Sequence, residues 1–322
     1  MAIFNLATVN PAEWVATSGS KRSQAHSLRR TFSMSQFGDP GEIAQREILS
    51  VGAGPAFAAE RNVSERLHSL WIGDRLGYIE RLSMLSALSV GHLFRLYSYT
   101  PEKLSDAPSG VEICDANEVI EYDALARYFD IGWATLASDF FRYAMLAKGL
   151  GYWVDLDLYF VRPLDFQDEY VFGWEHETKI NGAVLRLPQD SEMVRELCEI
   201  PHINWRPPYY GLRKSAGLYL KRMVQGDVRP ENYRWGAFGP TYLTYLAKKH
   251  RVSERAQKRS VFYPIRHRQA KLACGPPELV EKQLTHETRA IHLWCSVLGE
   301  AKVSPPPGSY LEAVCRRHGL DA

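Results

Sequence analysis

Hydrophobic and polar positions change period repeatedly between residues 67 and 250, which predicts strands and helices in alternation. Residues 76–90 carry apolar side chains near helical spacing, whereas the neighbouring apolar runs are short. Glycines follow the predicted helix at 138–150 and are well placed to stop it. The predicted strands are 67–73, 92–99, 111–114, one around Trp153, 170–174 and 183–187, and the predicted helices are 76–90, 121–129, 138–150, 190–199, 215–225 and 240–249.

Alternation of this kind, with short connections, is typical of an α/β fold in which helices cover both faces of a mainly parallel central sheet. The chain has 322 residues, enough for one such domain with a sizeable buried core. We expect the domain to span residues 63–322.

Residues 1–62 differ from the remainder and are predicted to form an N-terminal leader or extension. They show no sustained apolar period, and their basic cluster lies among serines and glycine: Lys21, Arg22, Arg29 and Arg30. A mobile leader is the simplest interpretation. Docking to a membrane surface or to a partner is the alternative.

Composition is that of an ordinary globular protein and excludes several classes of partner. Apolar residues make up 45% of the chain and charged residues 24%, and a formal net charge of +2 gives no indication of nucleic-acid binding. Five dispersed cysteines without a CxxC pair favour reduced thiols. No secretory signal is visible, and no run reaches the ~20 apolar residues of a membrane-spanning helix. We expect a cytoplasmic protein without a transmembrane segment, at most peripheral at the inner face of the membrane.

The strongest chemical signal is the pair Asp155 and Asp157, which follows an aromatic-rich apolar strand. Strand positions two apart face the same way, so the two carboxylates should converge where the strand ends. Close like charges are unfavourable unless a cation lies beside them, and Mg²⁺ or Mn²⁺ favours carboxylates together with phosphate oxygens. The pair predicts a divalent-metal site that holds a diphosphate, and a solvated turn is the alternative.

A second polar group precedes this pair at the predicted start of a helix, where Ser138 is a candidate N-cap. Asp139 and Arg142 are three residues apart, so both lie on one helix face within the first turn. They form either an exposed ion pair, worth about 0.3–0.5 kcal/mol, or the lining of a donor pocket that binds sugar hydroxyls or phosphate.

Aromatic and amide side chains complete the candidate set. Trp71 ends the first predicted strand beside Gly73, and its indole either belongs to the core or stacks on a nucleobase, which is worth ~1–3 kcal/mol. Alternation places His292 and Trp294 on one strand face, where imidazole could bind Mn²⁺ and the indole N–H could donate to phosphate. Asn181 is either a turn residue or a ligand of the transferred sugar.

Taken together, these residues resemble the DXD-containing glycosyltransferases of the GT-A fold. The similar group comprises the Och-type mannosyltransferases, the capsular-polysaccharide transferases and the catalytic domains of clostridial glucosylating toxins. The resemblance covers about residues 65–298, and His292 stands where some members have serine. It is carried by Trp71-Ile72-Gly73, Ser138-Asp139-x-x-Arg142, Gly151-x-Trp153-x-Asp155-x-Asp157, Asn181 and His292-Leu293-Trp294.

The resemblance implies a GT-A-like nucleotide-sugar-binding domain with a defined set of site residues. The implied catalytic residues are Asp139, Arg142, Asp155 and Asp157. The implied substrate-binding residues are Trp71, Ser138, Trp153, Asn181 and Trp294. The implied ligands of Mn²⁺ or Mg²⁺ are Asp157, Asp155 and His292.

The implied reaction is metal-dependent transfer of a hexose from a nucleoside diphosphate sugar, a UDP-hexose or GDP-mannose, to a hydroxyl acceptor. The acceptor would be a glycan, as in polysaccharide biosynthesis, a lipid-linked molecule or a protein. Retention of anomeric configuration is implied, and an inverting reaction with Glu175 as base is the alternative. A metal-dependent nucleotide-sugar phosphohydrolase and a non-enzymatic carbohydrate-binding module with a degenerate site are the two rival functions.

Overall fold

The computed structural model describes residues 66–200, 203–233 and 236–320, so the predicted leader at 1–62 lies outside the described residues. Its strands are β1 (Leu67–Trp71), β2 (Phe94–Ser98), β3 (Val111–Asp115), β4 (Tyr152–Val154), β5 (Leu158–Phe160), β6 (Val171–His176), β7 (Lys179–Arg186) and β8 (Ala290–His292). Its helices are α1 (Tyr78–Ser89), α2 (Tyr122–Asp130), α3 (Ala134–Ala147), α4 (Glu192–Cys198), α5 (Leu212–Gln225), α6 (Pro240–Lys249), α7 (Arg259–Phe262), α8 (Pro277–Glu281) and α9 (Tyr310–Arg317). Short 3₁₀ helices lie at Pro101–Lys103, Ala116–Glu118, Pro230–Asn232, Ser253–Arg255, His267–Cys274, Cys295–Val297 and Gly299–Lys302.

A six-stranded sheet in the order β3-β2-β1-β4-β7-β6 forms the centre of the fold. Strands β3, β2, β1 and β4 are parallel, whereas β7 pairs antiparallel with both β4 and β6. A separate two-stranded sheet pairs β5 with β8 antiparallel. The predicted α/β class with a mainly parallel central sheet is confirmed.

The central sheet separates two hydrophobic clusters, and the short strand β4 contributes to both. Tyr152 and Val154 pack in one cluster with side chains of α1 and α9, whereas Trp153 packs in the other with side chains of α2, α3 and α6. Helices therefore cover both faces of the sheet. This double burial explains why β4 is apolar at every position instead of alternating.

The start of α3 differs from the sequence-based expectation. The predicted N-cap at Ser138 is wrong, because the helix begins at Ala134 and Ser138 is buried in its second turn. Gly132, at a φ of 75°, allows the left-handed turn that separates α2 from α3. Residues 134–137 contain no helix breaker, so the helix extends upstream to this turn.

None of the helices in the described part of the chain combines the length and the apolar content that crossing a bilayer requires. All five cysteines fall within the described residues, and all are free thiols.

His68 is a buried titratable residue in β1, the strand that neighbours β4. Its Nδ1 lies 3.2 Å from the Tyr152 carbonyl oxygen. A carbonyl oxygen only accepts, so Nδ1 carries a proton. Burial lowers the pKa of His68 to about 4.

We expect this histidine to make the fold sensitive to acid. In the unfolded chain it binds a proton near its ordinary pKa of 6.5, so between pH 6.5 and 4 the unfolded state binds more protons. Stability is therefore fully present above pH 6.5 and falls as the pH drops, at about 1.4 kcal/mol per pH unit. The variant His68→Asn keeps an N–H donor but does not titrate, and urea unfolding should show a shallower loss between pH 6.5 and 4. Equal losses in both proteins would contradict the prediction.

Candidate metal centre

The two carboxylates of the Asp-x-Asp pair lie in a tight turn between β4 and β5. Asp155 directly follows β4, and Asp157 directly precedes β5. The Asp155 N–H donates to the Ala183 carbonyl, and the Asp157 carbonyl accepts the N–H of Leu293, each at 2.8 Å. The two carboxylates converge as predicted. They do so because the chain turns between β4 and β5, and not because they share one face of a strand.

A histidine from the far end of the chain joins this pair. Strand β8 places His292 opposite Leu158, the residue that follows Asp157. His292 Nε2 lies 3.1 Å from Asp157 Oδ1. Asp155, Asp157 and His292 are all buried, and each offers one ligand atom within 4.8 Å of the others. Two carboxylate oxygens and one imidazole nitrogen form a donor set for a divalent cation.

The spacing and burial of this group fit a single ion. Ligand atoms at about 2.1 Å from an ion stand roughly 3 Å apart when they are at right angles, and the contact between His292 and Asp157 has that length. Burial of two neighbouring carboxylates is costly unless positive charge lies beside them. The three residues could therefore hold a divalent metal ion.

The electrostatics of the group favour the protonation states that a metal requires. Burial lowers the pKa of His292 against the opposing effect of Asp157, so the imidazole is neutral at neutral pH. Burial alone would raise the pKa of Asp157, but hydrogen bonding to His292 and to the Cys295 N–H, which donates to Asp157 Oδ2 at 3.1 Å, holds that pKa below its ordinary value. An ionised carboxylate beside a neutral imidazole is the form in which both side chains bind metals.

Two side chains orient Asp155 by donating hydrogen bonds to one of its oxygens. Arg142 Nη2 and Trp153 Nε1 both donate to Asp155 Oδ1, at 3.1 Å and 2.7 Å. The guanidinium also lies over the Trp153 ring, 4.9 Å from its centroid. Trp153 is fully buried, so in this structure it supports the carboxylate and is not open to a substrate.

Arg142 connects Asp155 with Asp139. Its Nη1 lies 3.4 Å from Asp139 Oδ1, and the arginine side chain is only 5% exposed. The alternative of an exposed helix ion pair is therefore excluded. Burial raises the pKa of Asp139, and the adjacent guanidinium opposes that rise.

Two glycines make room for this buried pair. A Cβ added at Gly182 would lie 2.8 Å from Arg142 Nη1, and a Cβ added at Gly239 would lie 2.7 Å from Asp139 Oδ2. The Gly182 carbonyl also accepts from Arg142 Nη1 at 3.3 Å. Sequence reasoning missed both roles, because a glycine required by a side chain elsewhere in the chain carries no local signal.

We expect Gly182→Ala to impair the site while the protein remains folded. The new methyl group must displace the Arg142 guanidinium, and a displacement of about 1 Å near a reacting centre can cost up to about 100-fold in rate. Activity should fall between about 10-fold and 100-fold in steady-state assays. The control Gly217→Ala lies in α5, with nothing within 4 Å of its added Cβ, and should retain full activity. Full activity of Gly182→Ala would show that the guanidinium position does not matter.

The remaining predicted site residues lie around this centre but are largely covered. Trp71 ends β1 with its side chain over Gly73, and it is 5% exposed, so stacking on a base would require its neighbours to move. Ser138 is fully buried, and its hydroxyl has no hydrogen-bond partner among the described residues. Substrate contact by Trp71 and Ser138 stays a prediction.

Trp294 lies next to His292, but the two residues do not share a strand face as predicted. Strand β8 ends at His292, and Trp294 adopts a left-handed conformation with a φ of 56°. The two rings meet edge to face, with centroids 4.0 Å apart. The indole N–H donates to the Ile265 carbonyl at 2.8 Å, so the predicted bond to phosphate would require this bond to break.

Asn181 lies within β7, so its alternative interpretation as a turn residue is excluded. Its amide donates to Glu175 Oε2 at 3.1 Å, and its side-chain oxygen accepts the Ala183 N–H at 2.8 Å. Burial would raise the pKa of Glu175, but Lys179, at 3.1 Å from the same oxygen, and Asn181 together lower it.

Tyr263 is a further residue of the site that sequence reasoning missed. Its fully buried ring packs edge-on against His292, with centroids 5.8 Å apart, and its hydroxyl donates to the Asn181 carbonyl at 3.5 Å. Burial raises the pKa of its phenol, which therefore stays protonated as a donor. Tyr263 lies in an aromatic segment after α7 that shows no motif, so no sequence signal could have indicated this role.

Comparison with known proteins gives a weak likeness in structure and none in sequence. No protein-family model matches the chain, and no curated protein matches it. A solved structure described as "PaToxG Glycosyltransferase" is similar with 14% sequence identity and a TM-score of 0.41, over 58% of this chain and 69% of that chain. A likeness of this strength assigns neither a family nor a function.

Proposed function

We propose that this protein is a glycosyltransferase that transfers a hexose from a nucleoside diphosphate sugar to a hydroxyl acceptor and depends on Mn²⁺ or Mg²⁺. The observation that supports the proposal most is the buried group of Asp155, Asp157 and His292, with Arg142 and Asp139 beside it. This donor set suits an ion that binds a diphosphate, because hard divalent cations combine carboxylates with phosphate oxygens.

The position of the group in the fold supports a ligand site. Asp155 follows the carboxyl end of β4, and Trp71 ends the adjacent parallel strand β1. Ligands of open α/β sheets bind outside the carboxyl ends of parallel strands. A donor bound at this edge would therefore be bordered by the metal group and by the end of β1.

Each side chain of the site has a distinct part in the proposed reaction. A divalent cation bound there would neutralise the charge that develops on the leaving diphosphate. Arg142 holds Asp155 in position, and this fixed arrangement costs no reorganisation during the reaction. The Asp139 side chain retains 15% exposure, so it is the member of the buried ion pair that can bond a hydroxyl of the transferred sugar.

We propose a retaining outcome in preference to the inverting alternative. The inverting reaction needs a general base, for which Glu175 was the candidate. Its lowered pKa makes it a weaker base, and Oε2 already accepts hydrogen bonds from Asn181 and Lys179. We place the reaction in the cytoplasm, because five free thiols suit a reducing compartment.

A metal-dependent binding experiment tests the proposal. UDP and GDP should each be added to the protein with Mn²⁺, with Mg²⁺ and with EDTA, and thermal unfolding recorded. The nucleotide of the true donor should raise the unfolding temperature only with metal, since a ligand at 100 times its dissociation constant adds about 2.7 kcal/mol of stability. An equal shift in EDTA would contradict metal dependence.

The products then distinguish the proposed activity from its two rivals. A glycosyltransferase releases nucleoside diphosphate from one preferred sugar nucleotide, and an acceptor accelerates the release. A phosphohydrolase releases phosphate or a nucleoside monophosphate from many donors without an acceptor. A carbohydrate-binding module binds sugar but neither binds nucleoside diphosphate with metal nor turns over. Either of the last two results would overturn the proposal.

A further inference from the structure

Helix α5 (Leu212–Gln225) contains no buried residue, although much of its sequence is apolar. Isolated exposed apolar side chains are normal on a protein surface, but five on one 14-residue helix form a patch. The exposed fractions are 86% for Leu212, 68% for Tyr219, 64% for Leu220, 69% for Met223 and 75% for Val224.

Leu212 and Tyr219 line a groove between α5 and the body, and the other exposed apolar side chains of α5 point away from the protein. Leu218 is partly buried and packs against the second hydrophobic cluster, so it marks the side of the helix that faces the body. Leu220 lies two residues further and therefore about 200° around the helix, and Met223 shares its face at a spacing of three. The outer side of the helix is thus apolar, the reverse of an ordinary surface helix.

The same helix is strongly positively charged. The helix carries four cations and no acidic residue: Arg213, Lys214, Lys221 and Arg222. Its formal charge of +4 exceeds the +2 of the whole chain, so positive charge is concentrated here. Lys214 and Lys221 emerge on the side nearer the body, where Lys214 lies over the Tyr210 ring and Lys221 donates to the Asn232 carbonyl.

We propose that α5 docks this protein onto an anionic membrane surface. Exposed leucine, methionine and valine side chains would enter the boundary between headgroups and acyl chains, while the flanking cations bind lipid phosphates and carboxylates. We choose an anionic membrane as the partner because its negative charge complements the positive charge of α5. A second copy of the chain related by a two-fold axis would bring together two helices that each carry a formal charge of +4, which is unfavourable.

The base of α5 is connected to the candidate metal centre through aromatic packing. A groove of about 460 Å³ between α5 and the body is lined in part by Trp205 and Tyr233. Trp205 stacks on Phe238 with ring centroids 4.8 Å apart, and Phe238 precedes Gly239, which covers Asp139. Docking through α5 would therefore tether the site to a membrane surface, where lipid-linked or membrane-bound acceptors are found.

The test is co-sedimentation of the full chain with vesicles, either of phosphatidylcholine alone or of an equimolar mixture with phosphatidylserine. The wild-type protein should bind the mixed vesicles, bind neutral vesicles much more weakly, and lose affinity as salt is added. The double variant Leu220→Glu/Met223→Glu should bind the mixed vesicles at least about 10-fold more weakly. Replacement of Arg213 by Gln should weaken binding about fivefold.

The control is Val303→Glu, which changes an equally exposed apolar residue outside α5 and should bind as the wild type does. All replaced side chains are exposed, and unchanged circular dichroism and thermal unfolding will verify that each variant is folded. The proposal would be overturned if the double variant bound mixed vesicles as well as the wild type does. It would also be overturned if the wild type bound neutral and mixed vesicles equally, or bound no vesicles at all. Sedimentation equilibrium that shows a wild-type dimer and a monomeric double variant would overturn it as well, because the face would then belong to a second copy. The proposed nucleotide binding is measured without vesicles, so either proposal can fail alone.

Discussion

Asp157→Asn is expected to abolish turnover, with a loss of at least about 100-fold in kcat. The substitution removes the negative charge from the carboxylate whose Oδ1 lies 3.1 Å from His292 Nε2. An amide is a poor ligand for a hard cation in comparison with a carboxylate. Nucleotide binding should weaken in parallel, because the diphosphate is expected to bind through the same ion.

The fold should survive this change, because the asparagine oxygen can still accept the Cys295 N–H. Steady-state assays across a Mn²⁺ titration, together with thermal unfolding in EDTA, separate loss of metal from loss of structure. Asp123→Asn is the matched control, since Asp123 is exposed on α2 away from the site, and should leave kcat unchanged. Wild-type activity of Asp157→Asn at high Mn²⁺ would exclude Asp157 as a ligand.

Arg142→Met is expected to cause the largest loss of stability, about 3–5 kcal/mol. Arg142 is a buried cation between Asp155 and Asp139, and removing it leaves the fully buried Asp155 and the largely buried Asp139 without their counter-charge. Methionine fills a similar length of space without charge, so the loss arises mainly from electrostatics. Urea unfolding at neutral pH measures the effect.

Two further variants separate the effect of the charge from the effects of guanidinium geometry and of burial. Arg142→Lys keeps the charge, but an ammonium group cannot bridge Asp155, Asp139 and the Gly182 carbonyl as the planar guanidinium does. We expect it to be more stable than Arg142→Met and still at least about 10-fold less active than the wild type. Arg195→Met is the surface control, because Arg195 also joins two carboxylates on a helix but is 48% exposed. It should cost less than about 1 kcal/mol. Equal losses for the two methionine variants would contradict the buried-charge argument.

Much of the fold could be predicted because the relevant patterns are local. The period of apolar residues depends on which faces of an element are buried, so the α/β class and the order of elements from β1 to α6, apart from the short β5, follow from it. Boundaries were less certain where no local breaker marks them. Helix α3 begins at Ala134 because Gly132 turns the chain, and β7 includes Asn181 because its partner strand β6 continues that far.

The candidate site was partly predictable for the same reason. The spacing of Asp155 and Asp157 and that of Asp139 and Arg142 are short-range patterns, and the structure brings all four carboxylate and guanidinium groups together. The sequence left open whether the Asp139–Arg142 pair was exposed. Burial decided that question, because it depends on the strands and loops packed over α3.

The amino-acid sequence by itself determined the class of fold, the order of the elements from β1 to α6 apart from β5, and the chemical identity of the acidic pair, since each follows from neighbours along the chain. Tertiary structure alone decided that His292 meets Asp157, that Gly182 and Gly239 make room for the buried ion pair, and that α5 turns its apolar side outward. These contacts join residues far apart in the chain. Their formation depends on how whole elements pack, and such packing leaves no periodic trace in the sequence.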